Sequence, residues 1–132
     1  MPLERDVFIS YSHSDKAWVT TVLLPKLELH GFSVMIDLRD FQSGAFGIEE
    51  MERAIEQCRK VLLVLTRHYV ESEWCRFENA LAQTLDPGAS ARKMIPVVKE
   101  RCDLPLRLRA IQHRDLSRGD DAEWDLLTRD LI

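Results

Sequence analysis

Compact apolar runs alternate with stretches of helical period along this chain. Val7-Phe8-Ile9 reads as a buried strand ending near Tyr11. Ser12-His13-Ser14-Asp15 supplies N-cap candidates, and Val19, Val22, Leu23 and Leu27 follow at helical spacing. Gly31 is placed to end that helix, and Pro25 inside it should kink or split it. Phe32–Ile36 is a second strand, and Asp37–Gly47 carries two glycines and no helical period, so it reads as a loop. Ile48, Met51, Ala54, Ile55 and Cys58 mark a second helix. Val61–Leu65 is the clearest strand, apolar on both faces as central parallel strands are. Ser72 is expected to cap a third helix running to about Leu85, where Asp86-Pro87-Gly88 stops it. Met94–Val98 is a fourth strand, His113–Leu116 holds a short fifth, and Ala122–Leu131 is a last helix. The stretch Asp103–Ala110 is ambiguous. Strand and helix in regular alternation predict an α/β domain with a parallel sheet covered on both faces.

The chain has 132 residues, one domain's worth, and 45% of them are hydrophobic, enough for a real core. Residues 1–132 are therefore expected to be a single domain, a module of a longer protein. A net charge of −4 puts a nucleic-acid partner behind from the start. The longest apolar run, Val61–Leu65, is far short of a membrane span, and no signal-peptide core follows Met1, so no membrane partner is expected. The three cysteines form no C-x-x-C pair and the four histidines no helical pair, so no metal is expected. Reduced thiols suit a cytoplasmic location.

Ligands of such sheets sit beyond the carboxyl ends of the strands. The loops there are Tyr11–Asp15, Asp37–Gly47, Thr66–Glu73 and Val98–Leu104. The first has no glycine, which excludes a dinucleotide fingerprint, and no phosphate-binding P-loop is present. A phospho-receiver would need an aspartate where Thr66 stands.

The third helix carries an oddity. On a wheel turning about 100° per residue, Trp74, Cys75, Phe77, Leu81, Ala82 and Leu85 define an apolar arc, and Glu78 falls in its middle. A carboxylate there must pair with a buried base, take up a proton or line a cleft. In the Asp37–Gly47 loop, Phe46 beside a glycine is either a platform for a flat ligand or a staple for the next helix.

At this point the residues resemble a family. Asp6-Val7-Phe8-Ile9-Ser10-Tyr11-Ser12 is similar to the opening strand motif of Toll/interleukin-receptor (TIR) domains. Arg39-Asp40-Phe41-Gln42-Ser43-Gly44 resembles their BB loop, and Ser72-Glu73-Trp74-Cys75-Arg76-Phe77-Glu78 their S-x-x-W-C-x-x-E segment. The three blocks stand in the family's order and spacing, and Ser43-Gly44 in place of Pro-Gly leans toward bacterial or plant-like members. The resemblance implies a flavodoxin-like five-stranded parallel sheet with helices on both faces.

The family holds two functional classes, modules that signal by TIR–TIR contact and enzymes that cleave the nicotinamide–ribose bond of NAD. By resemblance, Glu78 takes the catalytic position, and Ser12, His13, Gln42, Phe46 and Trp74 would line the NAD site. Self-association would run through Arg39, Asp40, Ser43 and Gly44. Breaking that bond needs no external acid, because nicotinamide leaves as a neutral ring, so one carboxylate beside an oxocarbenium-like ribose suffices. The expected activity is an NAD glycohydrolase or cyclase, gated by self-association, in immune or cell-death signalling, with NAD as substrate and no cofactor. The alternative is a non-enzymatic TIR–TIR interaction module. The basic cluster Arg101, Arg107, Arg109, Arg114 and Arg118 reads as a solvated or inter-subunit face, since Asp103 and Asp115 interrupt it.

Overall fold

The computed structural model describes residues 5–37 and 47–132. Strands β1 (Arg5–Ser10), β2 (Val34–Met35), β3 (Cys58–Leu65), β4 (Met94–Val98) and β5 (Arg114–Asp115) form one parallel sheet. Its order is β2-β1-β3-β4-β5, the flavodoxin-like arrangement. The helices are α1 (residues 16–29), α2 (Gly47–Gln57), α3 (Trp74–Ala82), α4 (Pro87–Ala91), α5 (Leu106–Arg109) and α6 (Asp121–Leu131).

The two faces of the sheet each bury a core, and β3 shows why its sequence is apolar throughout. Val61, Leu63 and Leu65 pack with Met51, Ile55 and Phe77 from α2 and α3. Leu62 and Val64 point the other way, to Val19, Leu23, Leu127 and Leu131 from α1 and α6. All five strand residues are fully buried, each contributing about 1.5–3 kcal/mol relative to exposure. The second face also holds Trp18 against Trp124, ring centres 6.3 Å apart. Lys26 lies 4.5 Å over the Trp124 ring.

Several boundaries differ from expectation. The second strand pairs only at Val34 and Met35. Ser33 before it gives its N–H to the Asp6 carboxylate at 2.9 Å, while its carbonyl accepts the Asp6 and Val7 N–H groups at 3.0 and 3.1 Å. The α-helical pattern of α1 is interrupted just before Pro25, in keeping with the expected kink or split. A widened π-type segment, Val19–Leu23, precedes the proline, so Leu24 N–H reaches back to Val19 O and Pro25 falls in the first turn of the next segment. The extra residue absorbs the missing donor. Gly31 ends α1 at φ +88° as expected, and Phe32 N–H returns to Leu27 O.

The third helical stretch starts before Ser72. Thr66 Oγ1 accepts the Tyr69 N–H at 3.2 Å, and a π-type turn, Tyr69–Glu73, leads into α3. Ser72 lies inside that turn, donating to His68 O. The helix then stops at Ala82, leaving Leu85 93% exposed. At the other end of the sheet, Lys93 Nζ donates to Ile55 O and Glu56 O at 2.9 and 3.2 Å. This cation satisfies the last carbonyls of α2, and burial pushes its pKa below the usual lysine value. No helix among the described residues is long and apolar enough to cross a membrane.

Leu81 is buried and Leu85 is not, so the two separate cleanly by mutation. Leu81→Ala should cost about 2–5 kcal/mol, and Leu85→Ala less than about 0.5 kcal/mol, measured by urea unfolding. Equal losses would contradict the helix end at Ala82.

Candidate functional site

A cleft opens at the carboxyl ends of β1 and the edge strand. Its walls are Ser10, Tyr11 and His13 from the end of β1, Asp37 after β2, Gly47 and Met51 from α2, and Glu73 and Arg76 from the α3 region. The described walls enclose about 90 Å³, well below the ~300–1,000 Å³ of a whole small-molecule pocket.

Each charged group in the cleft has a neighbour of opposite sign or a hydrogen-bond donor. Tyr11 Oη donates to Asp37 Oδ1 at 2.8 Å. His13 Nε2 lies 3.2 Å from Asp37 Oδ2, and its ring stacks on Tyr11 at 5.9 Å. Glu73 Oε1 accepts from Arg76 Nη1 at 3.4 Å. The guanidinium also abuts Gly47, where a Cβ would come within 2.9 Å of Nη2. A side chain at position 47 would therefore push Arg76 aside.

Two acids, Asp37 and Glu73, thus line the cleft. The Glu73 side chain is only 15% exposed. Behind them, Tyr69 Oη lies 2.9 Å from Ser10 Oγ, and either can donate.

The residues singled out in the sequence divide. His13 lines the cleft. Ser12 is buried beneath it, capping the turn His13–Asp15 by accepting the Ser14 N–H at 3.3 Å. Trp74 is buried in the core, stacked on Phe77 with ring centres 6.0 Å apart. Glu78 lies at the flank of α3, 38% exposed, with Arg107 Nη1 at 3.8 Å. Arg39, Asp40, Gln42, Ser43, Gly44 and Phe46 lie outside the described residues.

The apolar arc expected on α3 is rotated. Trp74, Phe77, Ala80 and Leu81 are buried, while Cys75 and Ala82 are exposed. Glu78 is therefore at the margin of the arc. Glu73, which on the same wheel falls between Ala80 and Phe77, is inside it. Sequence reading missed Glu73 and Arg76 as cleft residues. Weighting Ala80 as core, and not Ala82 and Leu85, is the signal that finds the first of them.

The comparisons with known proteins agree with this architecture. The family model described as "TIR domain" matches residues 7–131. The chain is 32% identical over 124 residues to Toll-like receptor 4 of Rattus norvegicus and of Homo sapiens, covering 91% of this chain. It spans about 15% of the length of those relatives. Among solved structures it is similar to the TIR domain of the Toll-related receptor TRR-2 from Hydra magnipapillata. The TM-score there is 0.83 at 26% identity, over 96% of this chain and 98% of that one. It also resembles a metazoan TIR-STING receptor from C. gigas in complex with 2′,3′-cGAMP. That match has a TM-score of 0.79 at 25% identity, over 99% of this chain and 40% of that one.

The chain has two tyrosines, and both border the cleft region. Burial raises the Tyr11 phenol well above its ordinary value, and the hydrogen bond to Asp37 adds to this. Burial also raises Tyr69, with Glu73 and Glu78 adding and the bond to Ser10 opposing. A folded pKa above the unfolded value gives stability that is complete below about pH 10 and lost as pH rises beyond it. Tyrosinate absorbance should therefore appear only as the fold melts, together with loss of the helical circular dichroism. An absorbance step near pH 10 with the helical signal intact would contradict this environment.

Proposed function

This chain belongs to the TIR domain family, and on that premise we propose that it cleaves the nicotinamide–ribose bond of NAD. The observation that carries the proposal is the Glu73 carboxylate, largely buried and lining a cleft that Asp37 also lines. The lining sets two carboxylates against Arg76 and His13, and a cationic ligand can draw the carboxylates from these partners. The reacting end of NAD is such a cation, whose positive charge passes from the nicotinamide ring to the ribosyl group as the ring leaves neutral.

In the reaction the C–N glycosidic bond breaks and its electron pair leaves with nicotinamide. Water adds to the ribosyl carbon and loses a proton, giving ADP-ribose; capture by a group of the same nucleotide would give a cyclic product instead. No general acid is required. The protein's task is to hold negative charge beside the cation in a site of low dielectric.

Two carboxylates of the α3 region serve in this proposal. Glu78 occupies the position that the motif match assigns to catalysis. It stands outside the described cleft walls, so in this proposal it leaves Arg107 and the α3 flank turns it toward the ribose in the active form. That ion pair is half-exposed on both sides, and such pairs are worth under about 1 kcal/mol, so releasing it costs little. Glu73 binds the ribose end from the cleft wall. The pyrophosphate and adenosine lie over the rim, beyond the described walls. Self-association through the 37–47 segment brings the site to its active form, with Arg39, Asp40, Ser43 and Gly44 at the contact and Gln42 and Phe46 on the ligand.

A second reading has its own support. The similarity to Toll-like receptor 4 spans 91% of the chain, and Glu78 stands outside the cleft walls. Both fit a module that works by TIR–TIR contact alone.

Purified domain incubated with NAD should release nicotinamide, with specific activity rising as protein concentration is raised. No release at the highest concentration would overturn the enzymatic reading and leave the contact module. Glu78→Gln should lower kcat by at least about a hundredfold, near 2.7 kcal/mol of barrier, with the melting temperature unchanged. Glu73→Gln should raise KM about tenfold with a smaller change in kcat. Normal turnover by the Glu78 variant with none by the Glu73 variant would exchange the two roles.

A further inference from the structure

Beneath the cleft lies a largely buried charged cluster that the proposed reaction does not use. Asp15 is 5% exposed and Thr66 is fully buried, while the Lys99 side chain reaches the surface at 27% exposure. Thr66 Oγ1 donates to Asp15 Oδ2 at 2.7 Å, and Lys99 Nζ lies 3.2 Å from Asp15 Oδ1. The three residues follow the carboxyl ends of β1, β3 and β4, so a single carboxylate bridges three adjacent strands. Lys99 is steadied from below by the Trp18 ring, 5.8 Å away, and above by its own N–H, which donates to Leu65 O at 3.1 Å.

The cluster reaches both walls of the cleft. Asp15 closes the short turn His13–Asp15, its N–H bonded to Ser12 O at 2.8 Å, so it fixes the segment that carries His13. Thr66 takes the Tyr69 N–H at 3.2 Å and so sets where the helical stretch bearing Glu73 begins. The Tyr69 hydroxyl then returns to Ser10 at the end of β1. Lys99, Asp15, Thr66, Tyr69 and Ser10 form one polar chain from β4 to the cleft floor. An apolar core would hold the strands together as well. A charge-assisted bond adds direction, fixing the angle of the turn above it.

We infer that Asp15 and Lys99 are positioning residues for the cleft: their ion pair, with Thr66, holds the His13 segment and the Glu73 segment at the spacing the ligand meets. The inference rests on the cleft being the ligand site proposed above, but its geometry can be tested without turnover.

The test uses Asp15→Asn, Lys99→Met, Lys99→Arg and the Asp15→Asn/Lys99→Met pair. Amide NMR spectra, thermal melts and NAD kinetics are recorded on each. Asp15→Asn and Lys99→Met should move the amide resonances of residues 11–15 and 66–73 while those of α6 stay in place. They should raise the KM for NAD about tenfold with kcat within about twofold. The double variant should be no worse than either single one, and Lys99→Arg should behave as wild type. A lowered melting temperature with KM and those resonances unchanged would make the cluster merely structural and overturn the inference. If wild type releases no nicotinamide, the functional reading fails by itself. The resonances then decide: displacement confined to the two cleft segments supports the positioning role, and its absence overturns it.

Discussion

The pairing of β1 with β3 governs this molecule. Both strands lie inside the sheet, and their register runs from Arg5 opposite Cys58 to Ser10 opposite Leu63. Hydrophobic cover from α1 and α6 on one face and α2 and α3 on the other leaves the sides of these strands no water. Polar groups of this region are therefore confined to the strand ends. Ser10, Asp15, Thr66 and Lys99 collect there because the chain emerges from its dry interior at that point. The cleft follows from the same constraint: a parallel sheet sends successive strand ends to the same edge, and the loops that leave them diverge to either side.

Charge in this region is arranged in short-range pairs. Asp37 is met by Tyr11 and His13, Glu73 by Arg76, and Asp15 by Lys99 and Thr66. The pairs differ in depth, and depth sets what each can do. Asp15 is sealed in, so its partner must be permanent. Glu73 is itself largely covered, but its guanidinium partner is more than half exposed. A ligand with its own charge can compete for such a pair, because water has already weakened it. Binding groups near the rim and structural groups beneath them are thus separated by burial as much as by residue type.

Much of this architecture is legible in the residues. Val61–Leu65 reads as a central strand because five apolar, branched residues in a row between helical stretches fit a parallel strand with two covered faces, and all five are buried. Gly31 reads as a stop because the chain takes a positive φ there. The site was less legible. Leu85 looks like core on a helical wheel, but a wheel has no end, and α3 stops at Ala82. Counting Leu85 and Ala82 turned the apolar arc by enough to centre it on Glu78, when burial centres it nearer Phe77 and brings in Glu73. Ser72 looks like a cap, but Thr66 performs that task three residues ahead of Tyr69. Arg76 had no sequence signal at all. Its place in the cleft depends on Gly47, which is distant in sequence and offers the guanidinium room only by lacking a side chain.

The tryptophans fall on opposite sides of the sheet. Trp18 and Trp124 share one layer, the first beneath Lys99 and the second beneath Lys26, whereas Trp74 is stacked on Phe77 in the other. With three indoles in the chain, intrinsic fluorescence is already divided between the two layers. Emission from Trp18 reports on the ammonium held at the strand ends, and emission from Trp74 on the helix that begins beside the cleft. A chain with a single indole left in either layer would show whether the two halves of the sandwich loosen together or one before the other, with no external label.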